Sequence, residues 1–248
     1  MEGLEGMNQD LFQAEDQLHR IGTLKEKTLH SVIKNYIEPD PEHQEVKLGR
    51  YYVDILHENE IIEVQTQGFH RLCKKLGCFL PDYKVTVVYP MAAEKWICWI
   101  NEETGEVSKK RKSPLKGSYY RSLYELYKIK PFLTDPNLRI RLMLINMEEY
   151  RLLNGWSADK KRGSTRHDRI PTEIVDEYTL AGMEDYQRLI PEALGESFTG
   201  KDYARESKLS LKVTSCAVNV LKYVGAIEQV GKQGRAFLYQ RKMKEKEL

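Results

Sequence analysis

The stretch that most constrains the fold is residues 51–66, which read as a β-hairpin carrying acidic side chains. Two short apolar runs with β-branched residues flank the polar turn 57–60, and this pattern predicts two antiparallel strands. Because side chains alternate across a sheet, Glu63 and Gln65 share one face, and Asp54 on the neighbouring strand can point the same way. Two carboxylates in an apolar sheet repel each other unless a proton or a cation joins them. The hairpin therefore indicates a metal site.

The composition sets only broad limits on function. A chain of 248 residues is long enough for one large domain or two modest ones, and its formal net charge of +2 predicts no partner by itself. The charges are unevenly distributed, since residues 1–45 are acid-rich whereas 109–112 and 241–244 are basic. This asymmetry suits a nucleic-acid binder with a local footprint, although short charge runs are more often solvated surface.

Neither the cysteines nor the apolar segments indicate a secreted or membrane protein. The four cysteines, Cys73, Cys78, Cys98 and Cys216, form no CxxC pair and have no histidine at zinc-ligand spacing, so we expect reduced thiols. No apolar stretch approaches the roughly 20 residues that span a bilayer. The N-terminus lacks the charge and the apolar core of a signal peptide. We therefore expect a cytoplasmic protein with no membrane partner.

The elements around the hairpin predict an α/β (α+β) fold with a mixed sheet flanked by helices. A capping box at 23–26 starts a helix that the prolines of 38–41 end. A strand over 43–48 precedes the hairpin. An apolar helical stripe over 69–80, with Arg71, Lys74 and Lys75 on its other face, follows the hairpin, and a β-branched strand over 83–90 comes next. A helical crossover of this kind permits a parallel strand beside the hairpin.

This order of elements, with Asp54 ending one strand and Glu63-Val64-Gln65 on the next, resembles the PD-(D/E)XK nuclease superfamily and its restriction-endonuclease-like fold. A narrower resemblance, to a family of uncharacterised bacterial proteins with that core, covers most of the chain. It is carried by 62–66, Phe69, Lys75-Leu76, 88–90, Trp96 and 111–114, and it extends to the C-terminal module.

The resemblance implies a role for each matching residue. Asp54 and Glu63 would be ligands of Mg²⁺ or Mn²⁺, the Val64 carbonyl would be a third ligand, and Glu45 would be an additional catalytic acid. Gln65 takes the catalytic position that a lysine usually occupies. A lysine orients the attacking water and helps to lower its pKa, whereas a neutral glutamine can only orient it. Hydrolysis would then depend on the metal to make hydroxide and to neutralise the scissile phosphate.

A simpler interpretation of these acids remains. An Asp followed later by Glu-x-Gln is a weak pattern, because it often occurs by chance. It becomes more significant here because the acids lie on adjacent predicted strands. Asp54 and Glu63 could instead sit at strand ends, solvated or paired with Arg50 or Lys47. That interpretation accounts for each acid singly, but less well for both on one face beside Gln65.

A basic segment follows the predicted nuclease-like core. Runs at 95–100 and 106–111 predict a hairpin around a Gly-containing loop, and its second strand continues into the basic segment. Phosphate contact is the functional interpretation, because lysine and arginine near a metal centre would hold a nucleic-acid backbone. A solvated hairpin is the alternative. The residues concerned are Lys109, Lys110, Arg111, Lys112, Ser113 and Lys116.

The C-terminal residues predict three helices and a hairpin, which resemble a winged helix-turn-helix. The helices are expected over 183–194, 198–206 with Thr199 as N-cap, and 210–223, and the strands 226–230 and 236–240 flank a basic loop over 231–235. The third helix would bury Leu211, Thr214, Val218 and Leu221. As a recognition helix it would expose Ser210, Lys212, Ser215, Asn219 and Lys222, while Lys232 and Arg235 would tip the wing. A protein-contact or dimerisation module is the alternative.

These patterns predict four segments: a polar lead over 1–22, a nuclease-like domain over 23–153, a basic loop and connecting strand over 154–181, and a winged-helix domain over 182–248. The leading hypothesis is a metal-dependent endonuclease whose winged helix presents double-stranded DNA. A homodimer would suit double-strand cutting, although no residue demands one. The alternatives are a non-catalytic nucleic-acid-binding protein with a degenerate core and an assembly factor that holds a protein partner.

Overall fold

The computed structural model describes residues 28–155 and 165–242, which form a mixed α/β architecture with two sheets. The predicted lead 1–22 and the capping box at 23–26 lie outside the described residues, as do residues 156–164 of the predicted basic loop.

The first part of the chain supplies a large sheet and three helices. Its elements are α1 (Thr28–Ile37), β1 (Gln44–Leu48), β2 (Tyr51–His57), β3 (Glu60–Val64), α2 (Cys73–Phe79), β4 (Lys84–Ile100), β5 (Arg111–Lys112), α3 (Ser122–Leu126), β6 (Leu138–Leu152) and β7 (Thr165–Leu180). The second part is smaller. Its elements are α4 (Met183–Gln187), β8 (Ser197–Thr199), α5 (Gly200–Ser207), α6 (Leu211–Tyr223), β9 (Ile227–Gln233) and β10 (Ala236–Arg241).

The large sheet has the order β1-β2-β3-β4-β6-β7, with β5 added beside β4. The first three strands are antiparallel neighbours, β3 is parallel to β4, and β4 is parallel to β6. The chain reaches the parallel position of β4 by crossing over through α2. The predicted order of helix, three strands, helix and strand, and the mixed sheet flanked by helices, are therefore confirmed.

Helices cover both faces of this sheet. On one face, Phe69 and Leu76 pack against Ile61 in a large buried cluster. On the other face, Leu29 of α1 packs against Val64 in a second cluster. Because side chains alternate along β3, Glu63 lies on the α2 face together with Ile61, whereas Val64 faces α1.

Several strands are longer than the sequence indicates. The runs predicted over 83–90 and 95–100 are one strand, β4, since its pairing with β6 continues past a register shift between Ala92 and Lys95. β7 pairs along the whole of β6, so the predicted connecting strand belongs to the large sheet. The predicted basic strand over 106–111 is wrong in extent: a single bridge joins Val107 to Ile100, and only Arg111–Lys112 pair with β4.

In the C-terminal part, the helix predicted over 183–194 ends at Gln187 and the chain continues to Ile190 as turns with i,i+3 hydrogen bonds. Pro191, which has no N–H to donate, prevents the helix from continuing beyond them. The predicted N-cap Thr199 is confirmed, since its hydroxyl accepts a hydrogen bond from the Asp202 N–H at 3.3 Å. On α6, Thr214, Val218 and Leu221 are buried as predicted. Leu211 is 65% exposed, so its predicted burial is wrong. As the first residue of α6 it precedes the packed surface, and Leu209 is buried there in its place.

The last two strands form a tighter hairpin than expected. Gln233 pairs with Ala236, so the turn is the two residues Gly234 and Arg235, and the predicted loop over 231–235 is wrong in extent. Gly234 has a φ of 61°, which a two-residue hairpin turn requires and glycine adopts without strain. Lys232 therefore lies on β9, and Arg235 lies at the turn.

The described residues contain no helix of the length and apolar character that crossing a bilayer requires.

Gly117 provides a test of how the segment after β5 packs on β4. Its N–H donates to the Ala93 carbonyl at 2.7 Å, and a Cβ atom at this position would lie 1.9 Å from the Ala92 carbonyl oxygen. We expect Gly117→Ala to lower the free energy of unfolding by at least about 2 kcal/mol and the Tm by roughly 4–8 °C. Gly200→Ala is the matched control, since its Cβ would meet open space. Equal melting curves for the two variants would contradict this packing.

Candidate active site

β2 and β3 separate where the two predicted acids lie. Their registered pairs extend only as far as Ile55 and Ile62, one residue short of Asp54 and Glu63. The Val64 N–H, at the next position on β3, donates to Asp54 Oδ2 at 2.7 Å. A carboxylate side chain has thus taken the place of a backbone acceptor, and the strands form a fork around the two acids.

Asp54 is held from the α1 side. Its Oδ2 lies 3.1 Å from His30 Nε2, in addition to accepting the Val64 N–H. Burial alone would raise the pKa of Asp54, but the hydrogen bond and the charge of His30, with the Val64 N–H, hold the pKa below its usual value. Asp54 is therefore ionised at neutral pH.

Glu63 is held from the α2 side. The side chain is buried, with 4% of its surface exposed, and the Lys75 ammonium donates to Oε1 at 2.7 Å and to Oε2 at 2.8 Å. Burial and the nearby charge of Asp54 raise the pKa of Glu63 to about 7, in spite of Lys75. Near neutral pH the Glu63 side chain is thus present in both its protonated and its ionised form.

A second buried acid shows that Glu63 is unusual. Glu149 on β6 receives hydrogen bonds from Lys95 at 2.9 Å and from Arg151 Nε at 2.7 Å, and Arg166 lies 3.5 Å away. Burial would raise the pKa of Glu149, but the bonds from Lys95 and Arg151 hold it below the usual value. Glu149 is surrounded by cations, so its charge is compensated. At Glu63 there is one cation, Lys75, and the negative charge of Asp54 offsets its stabilisation of the ionised carboxylate.

The predictions from sequence missed the two residues that hold these acids. The helical stripe predicts that Lys75 lies on the solvent face of its helix, and that placement is wrong, because Lys75 bonds Glu63. No pattern in the sequence assigns a role to His30. The sequence signal for Lys75 is indirect. A crossover helix packs on the strand that precedes it, and a buried glutamate on that strand needs a cation, which the helix can supply.

The other predicted catalytic residues make different contacts. Gln65 is half-buried and its amide donates to the Gln67 carbonyl. Glu45 has a left-handed backbone with φ of 53°, is 55% exposed, and accepts a hydrogen bond at 2.5 Å from Lys34, which is buried. Among the described side chains, Glu45 does not join Asp54 and Glu63 in a trio with ligand atoms within 4.8 Å of one another. Glu45 compensates the charge of Lys34.

The predicted basic segment lies along the outer half of β4. Lys110 pairs with Glu148, and Lys112 pairs with Glu94 at 2.6 Å and lies 5.4 Å from the centre of the Trp96 ring. The backbone N–H of Ser113 donates to the Lys95 carbonyl. The side chains that are exposed and have no ion pair with a described residue are Lys109, Arg111 and Lys116.

The predicted recognition positions on α6 are all exposed: Ser210, Lys212, Ser215, Asn219 and Lys222. The C-terminal half of the helix nevertheless contacts the first part of the chain. Lys130 donates to Asn219 Oδ1 at 2.8 Å, and the Tyr223 hydroxyl donates to the Pro131 carbonyl at 3.3 Å. The open part of the surface is therefore the N-terminal half of α6, together with exposed Lys232 and Arg235.

The raised pKa of Glu63 predicts how the stability of the metal-free protein depends on pH. The folded state retains a proton on Glu63 up to about pH 7, whereas the unfolded state loses it near the ordinary value of 4.5. Protonation of Glu63 therefore stabilises the folded state at low pH, by at most about 3 kcal/mol. This stabilisation is lost as the pH rises through 7. Glu63→Gln cannot ionise, so we expect its stability to fall less between pH 5 and pH 8. Urea unfolding of both proteins with chelator would check this, and parallel pH profiles would contradict it.

Comparison with known proteins gives a family for this region but no described activity. Residues 27–181 match the family described as "Domain of unknown function (DUF8091)", a range that contains Asp54, Glu63 and Lys75. An uncharacterised protein of Treponema pallidum (strain Nichols) is 33% identical over 161 residues, which are 64% of this chain and 61% of that protein. The chain thus matches less than two thirds of the length of that relative. No solved structure gives a significant match. On the match over 27–181, the chain belongs to the DUF8091 family.

Proposed function

We propose that this protein is a metal-dependent nuclease that hydrolyses phosphodiester bonds in double-stranded DNA. The observation that carries the proposal is the buried Glu63 carboxylate, beside Asp54 and bonded through both oxygens to Lys75. PD-(D/E)XK nucleases, which this chain resembles, carry two acids and a lysine at the ends of adjacent strands. Here the two acids take those positions, the lysine comes from α2, and Gln65 occupies the usual lysine position.

The strand order supports the same inference. Three antiparallel strands are followed by a helical crossover to a parallel strand, and the acids lie on the second and third strands. This is the order expected of a restriction-endonuclease-like core. We infer that the large sheet, from β1 to β6, is such a core.

The residues at the fork fit a hard divalent cation. The Asp54 and Glu63 carboxylates, with the Val64 carbonyl, would hold Mg²⁺ or Mn²⁺, which take oxygen ligands. Burial and the nearby charge of Asp54 both raise the pKa of Glu63, and a cation between the two carboxylates would remove their repulsion. When bound, the ion supplies a Lewis acid and lowers the pKa of a coordinated water.

The chain's own residues orient the reacting groups. His30 and the Val64 N–H both hold Asp54 Oδ2, so they fix the direction of that carboxylate. Lys75 is held by Glu63 as a positive charge beside the acids, where it can donate hydrogen bonds to a water or to a phosphate oxygen. A positive charge that is already in position, such as the Lys75 ammonium, stabilises the negative charge that develops on the phosphate during cleavage.

We further infer that the C-terminal part is a winged helix-turn-helix that presents the DNA. Helices α4 to α6 and the β9–β10 hairpin support this inference, and α6 exposes Lys212 at its open end. Non-catalytic binding of nucleic acid is the second candidate function, and the glutamine at the usual lysine position favours it. The contact of Lys75 with Glu63 weighs against it, because it restores the missing charge.

Cleavage of supercoiled plasmid with Mg²⁺ or Mn²⁺ tests the nuclease directly. Asp54→Asn, Glu63→Gln and Lys75→Met should each lower the nicking rate at least about 100-fold, because each removes a ligand or a charge needed in the transition state. Lys74→Met removes an exposed neighbouring lysine and should retain the wild-type rate within about threefold. Circular dichroism would check that each variant folds.

The outcomes separate the alternatives. If Lys75→Met cleaved at the wild-type rate and Gln65→Ala lost most of its activity, then Gln65, and not Lys75, would orient the reacting groups. A wild-type protein that binds DNA but does not nick with either cation would establish the non-catalytic function.

Fluorescence anisotropy with duplex DNA tests the binding surface. The triple variant Lys212→Ala, Lys232→Ala, Arg235→Ala should lower affinity at least about tenfold and make the dependence of log affinity on log salt shallower by roughly 0.9 for each lost phosphate contact. The matched control removes three exposed cations of the first part, Lys84, Arg121 and Arg139. Equal effects of the two triple variants would mean that net charge, and not the C-terminal surface, determines binding.

A further inference from the structure

A second group of metal-ligating side chains lies at the free edge of the large sheet. Glu38, His43 and His57 offer ligand atoms that all lie within 4.8 Å of one another. Among the described residues this is the one such trio of His, Cys, Asp and Glu side chains. We propose that it is a binding site for Zn²⁺ or a similar divalent transition-metal ion, separate from the acids at the fork.

Three segments of the chain converge at this trio. Glu38 follows directly after α1, His43 ends the short 3₁₀ turn Pro41–His43 that leads into β1, and His57 is the last residue of β2. Pro39 and Pro41 fix the backbone between the first two ligands, because the proline ring restricts φ. The positions of the ligands are thus set by the fold and not by a flexible loop.

The Glu38 carboxylate is anchored beside His43. Its Oε1 accepts the Asp40 N–H at 2.9 Å, and its Oε2 lies 3.3 Å from His43 Nδ1. A carboxylate anchored through one oxygen presents the other as a single ligand, which is how outer hydrogen bonds orient ligands at protein metal sites.

His43 Nδ1 is the second, independent sign of a missing ligand. This nitrogen is shielded from solvent and makes no hydrogen bond of good geometry, since the nearby Glu38 oxygen is not aligned with it. A buried polar atom without a hydrogen bond is unfavourable. Binding of a metal ion by the nitrogen lone pair would satisfy it.

The donor set determines which ion fits. The His43 and His57 rings lie edge to face with centroids 5.0 Å apart, and one nitrogen of each ring and a Glu38 oxygen all lie within 4.8 Å of one another. Two imidazoles and one carboxylate form a zinc donor set, whereas Mg²⁺ prefers oxygen ligands alone. With three protein ligands, the fourth position of a tetrahedral ion would be open to water. Bound metal would join the end of α1 to β1 and β2.

Titration of Co²⁺ into the full chain, followed through its visible absorption and then by displacement with Zn²⁺, tests the site. We expect a Co²⁺ band for the wild type that Zn²⁺ abolishes. His57→Gln removes an exposed ligand with little risk to folding, and it should weaken Zn²⁺ binding at least about tenfold. His70→Gln is the matched control at an exposed histidine outside the trio, and Glu63→Gln is the control for the fork. Both should bind Zn²⁺ within about twofold of the wild type.

The alternatives give distinct results. Absence of a Co²⁺ band, or unchanged binding in both His57→Gln and His43→Gln, would overturn the site. Loss of the band in Glu63→Gln alone would place the ion at the fork and also overturn it. Plasmid nicking with Mn²⁺ should be retained in His57→Gln, so failure of the zinc site and failure of the nuclease proposal are separable.

Discussion

The repulsion between the carboxylates of Asp54 and Glu63 is the interaction on which the rest of the candidate site depends. Two acids at the fork of a largely apolar sheet are stable only if each is compensated, and the two compensations come from opposite faces. Asp54 is held by α1 through His30, and Glu63 is held by α2 through Lys75. Both helices are therefore part of the site as well as part of the core.

The polar contacts of α1 follow one line along the helix. His30, Lys34 and Glu38 are spaced four residues apart, so they lie on one side of the helix and its end. They contact Asp54, Glu45 and His43 in turn, on β2, on β1 and just before β1. The apolar side of the same helix packs on the sheet through Leu29 and Ile33. A shift of α1 would thus disturb the fork and the sheet edge together.

The hairpin, the alternation along β3 and the order of elements could be predicted from the sequence, because each depends on local pattern and on short connections. The same reasoning found Thr199 as an N-cap and the exposed positions of α6. It could not find Lys75 or His30, because their contacts depend on how two helices pack on the sheet, and no fixed spacing along the chain encodes that packing. Nor did it find that Glu45 compensates a buried lysine, or that Leu211 precedes the packed part of its helix.

The length of β4 sets the distance between the acids at the fork and the basic segment that contains β5. Val87 pairs with Glu63, and Trp96, nine residues further along the same strand, pairs with Lys112. Because β4 has one extra residue at the register shift between Ala92 and Lys95, the span along the sheet is that of eight extended residues, about 26 Å. That is roughly eight base pairs of B-form DNA, less than one helical turn. A duplex lying along β4 would therefore meet the acids and the basic segment within a single turn.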